Sequence, residues 1–212
     1  MRKNIVLIGG GGHCKSCIDV ICATNQYNIV GILDMPSELG KKILNYEIIG
    51  NDGDYLKYHK QGCVFLITVG QIKSATIRKR IFKELNNINA EIEIIIAPTA
   101  YVSENATIEK GTIVMHNAFI NAGATIGLNN IINTGAVIEH DVSIGHNNHI
   151  STGARVNGDC KIGNENFVGS GVVIANGIEL QDEIIIGAGS VVVKNISDKG
   201  TYVGSPAKQK HA

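Results

Sequence analysis

The sequence contains no tryptophan, and aromatic residues make up only 5% of its 212 residues, although hydrophobic residues reach 44%. A core of this composition must be built from aliphatic side chains, which suits a narrow interior. The formal net charge is zero, and no basic cluster is longer than Arg78-Lys79-Arg80, so nucleic-acid binding is disfavoured. No apolar run approaches the roughly 18 residues that a transmembrane helix needs. We therefore expect no nucleic-acid or membrane partner.

The five cysteines do not indicate a disulfide framework. Gly9 interrupts the first apolar run before a secretory signal could form, so we expect a cytoplasmic protein with reduced thiols. Cys14 and Cys17 lack a second cysteine pair and fall on the apolar side of a predicted helix. We interpret both as small core residues, and we expect no bound metal.

Aliphatic residues recur at every sixth position between Val102 and Val192. Val102, Ile108, Val114, Ile120 and each sixth residue beyond them are Ile, Val or Leu without interruption. A period of six fits neither a helix nor an ordinary strand, and it indicates the hexapeptide repeat of a parallel β-helix. Three hexads form one triangular coil of about eighteen residues, so the stretch predicts about five coils.

Residues 1–97 have a different pattern, in which buried strands alternate with helices. The expected strands are Ile5–Ile8, Asn28–Leu33, Ile48–Gly50, Val64–Val69 and Glu93–Ile96, and the expected helices are His13–Thr24, Asp52–Tyr58 and Lys73–Leu85. Ile77, Ile81 and Leu85 fall on one face of the last helix. Alternating strands and helices predict a small parallel α/β domain. We therefore expect two domains, residues 1–97 and residues 98–212.

The first strand ends in a run of four glycines, Gly9 to Gly12. A bare backbone at a helix N-terminus lets a phosphate approach the amides, and Asp34 ends the second strand, where a carboxylate can bind a ribose or a base. The motif is one glycine short of the dinucleotide fingerprint, and the domain leaves little room for hydride transfer. A nucleotide-phosphate site is favoured over a simple tight turn with a helix cap.

His140 is the strongest candidate for chemistry among the seven histidines. It lies between Glu139 and Asp141 and two places after an inward anchor, so it should project outward near a corner. One coil later the same corner carries Gly158, which leaves room for a substrate beside the imidazole. A neutral imidazole held by a carboxylate is a good general base. Either Glu139 or Asp141 could orient the ring, and a solvated surface histidine is the alternative.

Three further histidines lie within the repeat. His149 stands just before an anchor and could donate a hydrogen bond to a ligand carbonyl, whereas His116 and His146 have weaker cases.

The hexads, the segment Gly9–His13 and the pair His140-Asp141 together resemble the left-handed β-helix acyltransferases that carry a small Rossmann-like N-terminal domain. That branch comprises nucleotide-sugar N-acetyltransferases and sialic acid O-acetyltransferases. The resemblance implies a homotrimer that transfers an acetyl group from acetyl-coenzyme A (acetyl-CoA) to the amine of a UDP- or dTDP-linked 4-amino-4,6-dideoxy sugar.

The resemblance also implies roles for individual residues. His140 would be the catalytic base and Asp141, where the family usually has Glu, would orient it. His149, Gly158, Ser170, Ala188 and Lys208 would bind the coenzyme, Gly158 through its amide and Lys208 within the tail Gly204–Lys208. Gly11, Gly12, His13, Asp34, Gly70 and Gln71 would bind the nucleotide sugar, with Arg78 on a helix that reaches the sugar side. Met35 stands where relatives often have a second acidic residue.

Three alternatives remain open at the level of sequence. O-acetylation of sialic acid or a related nonulosonate would use the same scaffold. A β-helical zinc carbonic anhydrase would use the repeat histidines as ligands. A non-enzymatic solenoid would leave the His-Asp pair without a purpose.

Overall fold

The computed structural model describes residues 2–210, which form two compact units. The first unit comprises residues 2–70 and 76–98, and the second comprises residues 71–75 and 99–210. The short segment 71–75, which follows the last long strand of the first unit, thus groups with the repeat. Within residues 2–210 no helix is long and apolar enough to cross a membrane.

The first unit is a five-stranded sheet with three α-helices. Its elements are β1 (Lys3–Ile8), α1 (Gly12–Thr24), β2 (Tyr27–Leu33), β3 (Lys42–Ile43), β4 (Tyr46–Gly50), α2 (Tyr55–Lys60), β5 (Val64–Ile67), α3 (Thr76–Asn87) and β6 (Ile95–Ile96), with 3-10 turns at Pro36–Glu38 and Asp52–Asp54. The strand order is β3-β4-β2-β1-β5, and every pair is parallel except β3 with β4. The predicted Rossmann-like architecture is confirmed. The last predicted strand, Glu93–Ile96, shortens to Ile95–Ile96 and is not one of the strands of this five-stranded sheet, so its predicted place in the α/β sheet is wrong.

Helix α3 departs from its predicted amphipathic pattern. It begins at Thr76 rather than Lys73, and Ile77 is 56% exposed, whereas Arg78 is only 1% exposed. Arg78 Nη1 donates hydrogen bonds to the carbonyl oxygens of Ile67 and Val69, both at 2.8 Å. Burial lowers the pKa of Arg78 to about 10. The guanidinium of Arg78 therefore satisfies carbonyl oxygens at and just after the end of β5, which accounts for its burial.

The second unit is a left-handed parallel β-helix built from three sheets. The strands of the first face are β7 (Tyr101–Val102), β10 (Phe119–Ile120), β13 (Val137–Ile138), β16 (Arg155–Val156), β19 (Val173–Ile174) and β22 (Val191–Val192). The second face has β8 (Thr107–Ile108), β11 (Thr125–Ile126), β14 (Ser143–Ile144), β17 (Lys161–Ile162) and β20 (Glu179–Leu180). The third has β9 (Ile113–Val114), β12 (Ile131–Ile132), β15 (His149–Ile150), β18 (Phe167–Val168) and β21 (Ile184–Ile186).

The six-residue period sets the register of this domain. Each two-residue strand pairs in parallel with the strand one coil later, as Ile120 does with Ile138 and Ile138 with Val156. All anchors from Val114 onward are buried, and only Val102 and Ile108 in the first coil are half-buried. The predicted hexapeptide fold is confirmed.

A ladder of buried asparagines runs inside the β-helix. Asn130, Asn148 and Asn166 stand one coil apart and are fully buried. The Oδ1 atom of each asparagine accepts a hydrogen bond from the backbone N–H of the residue eighteen positions later. The donors are Asn148, Asn166 and Ile184, and the distances are 2.6–2.8 Å. The ladder therefore satisfies buried amides that the short strands leave unpaired.

The C-terminal segment covers the last coil. Strand β23 (Gly200–Val203) extends the third face beyond β21 and pairs antiparallel with β24 (Lys208–Gln209). Tyr202 is buried against the core of the β-helix, and its hydroxyl donates to the carbonyl oxygen of Asp198 at 2.8 Å. Such a cover removes the exposed strand edge that an open solenoid end would present.

Candidate active site

His140 and Asp141 lie together at the corner between the first and second faces. The Nδ1 atom of His140 is 3.0 Å from Oδ2 of Asp141. Because a carboxylate only accepts hydrogen bonds, the proton of the neutral imidazole is on Nδ1, which leaves the lone pair of Nε2 for a substrate. The His140 side chain is 58% exposed, so that lone pair is accessible from solvent.

Asp141, rather than Glu139, contacts the imidazole because of the local backbone. Asp141 has the left-handed conformation, with φ of +61°, and its N–H donates to the carbonyl oxygen of Ala122 at 3.1 Å. Glu139 Oε2 instead accepts a hydrogen bond from Asn121 Nδ2 at 2.8 Å. The question that the sequence left open thus has a geometric answer.

The carboxylate changes the basicity of His140. The hydrogen bond to Asp141 raises the pKa of His140 above its ordinary value, and the charges of Asp141, Glu139 and Asp159 act in the same direction. Desolvation opposes these effects. His140 is therefore a stronger base than a free imidazole.

Gly158 packs against the face of the His140 ring. A Cβ atom at position 158 would lie 2.6 Å from both Cε1 and Nε2 of the imidazole. Any residue larger than glycine would therefore displace the ring from this position. Among residues 2–210 no protein acceptor is bonded to the Gly158 N–H. An amide beside Nε2 can stabilise a developing oxyanion.

His149 is buried and fully engaged by the protein. It is 7% exposed, and its Nδ1 donates to the carbonyl oxygen of Gln71 at 2.6 Å. Asn133 Nδ2 donates to Nε2 at 3.0 Å, and Asn133 Oδ1 is occupied by the N–H of Thr134 at 2.7 Å, which fixes the orientation of that amide. His149 is thus held as the neutral Nδ1–H tautomer, and neither nitrogen is available to a ligand in this arrangement.

Gln71 is buried as well, at 2% exposed. Its Nε2 donates to the carbonyl oxygen of Asn147 at 2.9 Å and approaches that of Asn166 at 3.3 Å. Its side chain fastens segment 71–75 to the third face. The structure therefore does not present this side chain to a substrate.

The remaining predicted coenzyme residues lie on the surface of the later coils. Ser170 and Ala188 are exposed and occupy the same corner of consecutive coils, since Gly189 N–H bonds to the carbonyl oxygen of Ser170. Ser170 Oγ is 3.0 Å from Ser151 Oγ. Lys208 is exposed on β24. Ser170 and Ala188 thus lie close together, whereas Lys208 forms no hydrogen bond or ion pair with either residue.

The first unit contains a cavity of about 590 Å³ at the carboxyl ends of β1, β2 and β5. Its lining includes Gly9 to Gly11, Asp34, Met35, Asn51, Asp52, Gly70 and Arg80. Asp34 Oδ2 accepts the Gly10 N–H at 2.6 Å, and Oδ1 accepts the Met35 N–H at 2.7 Å. Asp34 thus orders the glycine turn, and its remaining lone pairs face the cavity rim.

The four glycines have different reasons to be glycine. Gly9 has φ of +103°, and a Cβ there would lie 2.4 Å from Val69 Cγ2, so the fold requires it. Cβ atoms at Gly11 and Gly12 would meet nothing within 4 Å. Open space at the N-terminus of the 13-residue helix α1 leaves room for a ligand phosphate. Gly70 packs beside His13, since a Cβ atom at position 70 would lie 3.4 Å from the Cβ atom of His13.

Other polar groups that the sequence suggested have structural roles. His146 Nδ1 accepts the N–H of Leu128 at 2.9 Å, and His116 Nδ1 is 2.8 Å from Thr99 Oγ1. Cys14 and Cys17 are buried free thiols, and burial raises the pKa of Cys14 to about 11. Within residues 2–210 no group of three or more His, Cys, Asp or Glu is arranged to hold a metal ion.

Two features of the sites were missed in the sequence. Asn133, which holds His149, lies sixteen residues before it, so the repeat of eighteen does not connect the two. Asp52 and Arg80 line the cavity and form a 2.8 Å ion pair across twenty-eight residues. The one sequence signal for this ion pair is the position of Asp52 just after β4, at the carboxyl edge of the sheet.

Comparisons with known proteins agree with the observed fold. Residues 4–85 match the family described as the PglD N-terminal domain. The acetyltransferase domain of PglB from Neisseria gonorrhoeae FA1090, solved with acetyl coenzyme A, is 28% identical with a TM-score of 0.91, over 99% of this chain and 100% of that chain. PerB from Caulobacter crescentus, solved with CoA and GDP-perosamine, is 29% identical with a TM-score of 0.91, over 98% and 97%.

A more distant structure shares the fold alone. WeeI from Acinetobacter baumannii AYE is 18% identical with a TM-score of 0.81, over 98% of this chain and 100% of that chain. A comparison with curated proteins gave no match.

The fold and these matches define the class: an acyltransferase built from a Rossmann-like N-terminal domain and a left-handed β-helix. The predicted enzyme type, an acetyl-CoA-dependent sugar N-acetyltransferase, is confirmed, and the similar PglB domain and PerB were solved with acetyl coenzyme A and with CoA.

Proposed function

We propose that the protein transfers an acetyl group from acetyl-CoA to the amine of a nucleotide-linked 4-amino-4,6-dideoxy sugar, with His140 as general base. The observation that carries this proposal is the His140-Asp141 pair, with Nδ1 bonded at 3.0 Å and Nε2 unbonded beside Gly158. The solved relative PerB, whose ligands are CoA and GDP-perosamine, supports a nucleotide-linked amino sugar as the acceptor.

The reaction is a direct transfer between the two substrates. The amine nitrogen attacks the thioester carbonyl carbon while Nε2 of His140 accepts a proton from the nitrogen. The C–N bond forms, the C–S bond breaks, and the proton passes from His140 to the departing thiolate of CoA. The Gly158 N–H donates to the oxyanion, and Asp141 stabilises the imidazolium. No acyl-enzyme is required.

The coenzyme residues have unequal support. Ser170 and Ala188 are exposed on one corner in consecutive coils, about 4.8 Å apart along the helix axis, and can follow an extended pantetheine arm. Lys208 supplies a positive charge suited to a phosphate. His149 supports the site indirectly, because both of its ring nitrogens have protein partners. We therefore propose a positioning role for His149 in place of direct coenzyme binding.

The nucleotide part fits the cavity of the first unit. The amides of Gly11 and Gly12 at the start of α1 suit a diphosphate, since a helix N-terminus favours anions. Asp34 and Asp52 at the rim can accept hydrogen bonds from a ribose or a base. UDP and dTDP are the nucleotides predicted from the sequence, and GDP is the nucleotide in the PerB complex.

A homotrimer is proposed from the outward residues of the β-helix faces. The second face presents Thr107, Thr125, Ser143, Lys161 and Glu179, which suit solvent. The first face presents Tyr101, Phe119, Val137, Arg155, Val173 and Val191, most of them apolar. An apolar prism face next to the His140 corner suits packing against a second copy.

The test is a panel of acceptors assayed by mass spectrometry with acetyl-CoA. UDP-, dTDP- and GDP-linked 4-amino-4,6-dideoxy sugars are compared with free and CMP-linked sialic acids and with hydroxyl analogues of the amino sugars. We expect one acetyl group on the amine of one nucleotide sugar and none on the hydroxyl analogue. Acetylation of sialic acids alone would contradict the proposal and favour the O-acetyltransferase alternative.

A further inference from the structure

We propose that Gly123 is a positioning residue for the catalytic pair, because its missing side chain provides the space in which the Asp141 carboxylate holds His140. The inference rests on the proposed function, in which His140 is the base. Gly123 stands one coil before Asp141, at the same turn of the β-helix. The nearest atom to a Cβ at this position belongs to Asp141, so we assign its effect on the reaction to Asp141.

The carboxylate of Asp141 lies between two partners. Its Oδ2 is 3.0 Å from His140 Nδ1, and its Oδ1 lies only 2.4 Å from the point where a Cβ on Gly123 would be. Real Cβ atoms do not approach an oxygen so closely, so any side chain at 123 must displace the carboxylate. The two oxygens belong to one rigid group, and a shift of Oδ1 therefore also changes the position of Oδ2 relative to the imidazole.

The backbone of Asp141 cannot absorb this displacement. Its N–H is bonded to the carbonyl oxygen of Ala122 at 3.1 Å, and its φ of +61° is set by the turn. Rotation of the side chain is the cheaper response, so the fold tolerates the change while the pair separates. No neighbour replaces the carboxylate: Glu139 is bonded to Asn121, and Asp159 acts on His140 only through its charge.

Turn conformation alone does not explain the glycine. Gly123 has φ of +75°, but the same turn position carries Asp141 and Asp159, both with positive φ, in the next two coils. Asparagine also occupies left-handed positions in other turns, as at Asn117, Asn129 and Asn147. The backbone conformation at position 123 would therefore accept a residue other than glycine. The close approach of the Asp141 carboxylate is the specific reason why a larger residue does not fit there.

The test compares Gly123→Asn with Gly135→Asn. Gly135 has φ of +66°, a Cβ there meets nothing within 4 Å, and the equivalent position one coil earlier is already Asn117. Both variants accept a left-handed backbone, but only Gly123→Asn crowds Asp141. Melting temperatures establish that both fold, and Gly123→Ala is a second crowding variant.

Two readouts separate positioning from a general structural effect. The first is the pKa of His140 from histidine ring NMR titrations, assigned with His140→Asn. The second is the pH dependence of kcat/KM. In Gly123→Asn we expect a His140 pKa lowered toward that of Asp141→Asn, and kcat/KM lowered about tenfold, while Gly135→Asn matches the wild type. The double variant Gly123→Asn/Asp141→Asn should be no worse than Asp141→Asn.

The outcomes distinguish this inference from the proposed function. If Asp141→Asn changes both readouts but Gly123→Asn matches Gly135→Asn, the role of Gly123 is refuted and the proposed base stands. If Asp141→Asn itself changes neither readout, the catalytic pair is refuted, and the inference fails with it.

Discussion

At the scale of single residues, the repeat histidines differ in which ring nitrogen is free to react. His149 has both nitrogens bonded by protein groups, and His146 uses Nδ1 to accept a backbone N–H. His140 has Nδ1 bonded to Asp141, and Nε2 lies open beside Gly158. A histidine that is oriented through one nitrogen and free at the other has the geometry of a general base.

The raised pKa of His140 predicts the pH dependence of the reaction. His140 must be neutral to accept a proton, so activity should rise with pH through a pKa above the ordinary histidine value. Asp141→Asn removes the charge that raises this pKa. We expect the acid limb of kcat/KM to move to lower pH and the plateau to fall about tenfold, because the base becomes weaker. Steady-state rates across pH measure both, and an acid limb that stays in place would contradict the role of Asp141.

The residue scale also marks a boundary of what sequence can predict. The eighteen-residue repeat brings Gly158 against His140, so this pair follows from counting. The choice between Glu139 and Asp141 depends on the left-handed φ at 141 and on the bond between Asn121 and Glu139. Neither is a property of spacing, so the sequence could only leave both carboxylates open.

At the scale of elements, the buried asparagine ladder stabilises the turns of the β-helix. Asn148 Oδ1 accepts the Asn166 N–H at 2.8 Å, and its Nδ2 donates to the carbonyl oxygen of Gly163 at 2.9 Å. Asn148→Ala would leave the buried Asn166 N–H and the half-buried Gly163 carbonyl oxygen without these partners. We expect the free energy of unfolding to fall by roughly 2–4 kcal/mol.

The partly exposed Asn164 provides the matched control for Asn148. Its Oδ1 accepts the His146 N–H at 2.7 Å, but water can replace this bond. Asn164→Ala should therefore cost about 0.5–1 kcal/mol. Denaturant unfolding compares the two variants, and equal losses would contradict a special role for the buried ladder.

The glycine turn before α1 allows a test of the nucleotide site. A Cβ on Gly12 meets no protein atom within 4 Å, and alanine is a good helix residue, so Gly12→Ala should fold normally. The added methyl group would keep a phosphate away from the amides, and we expect KM for the nucleotide sugar to rise about tenfold with kcat little changed.

Gly9→Ala serves as the contrasting variant, because its side chain would collide with Val69 and its φ is +103°. This change should lower the melting temperature. An unchanged KM in Gly12→Ala would exclude a phosphate at this turn.

Element boundaries were less predictable than element types. Helix α3 was expected to bury Ile77, but Arg78 is buried because Ile67 and Val69 leave carbonyl oxygens to be satisfied. A hydrophobic period cannot detect such acceptors, since they belong to another strand. Gln71 was likewise expected at a substrate and instead bonds carbonyls of the β-helix.

At the scale of the whole molecule, the unequal faces of the β-helix predict its assembly. Val173→Asp puts a charge on the apolar first face, whereas Thr125→Asp puts one on the polar second face. We expect the wild type and Thr125→Asp to sediment as trimers, and Val173→Asp to weaken association on the order of a hundredfold. A monomeric wild type, or equal effects of the two changes, would contradict an interface on the first face.

The architecture was the most predictable feature at this scale, because the six-residue period leaves a single register for every coil. The acceptor is less predictable, since it depends on the shape of the cavity rim around Asp34, Met35 and Asp52 rather than on any repeat.

The most direct test of the central claim is the turnover of His140→Asn with acetyl-CoA and the best acceptor of the panel. The asparagine amide can still donate to Asp141 but cannot accept the proton of the amine. We expect kcat to fall by about 10²–10⁴ while the melting temperature and KM for both substrates stay near wild type. Near-normal turnover by this variant would contradict the assignment of His140 as the base.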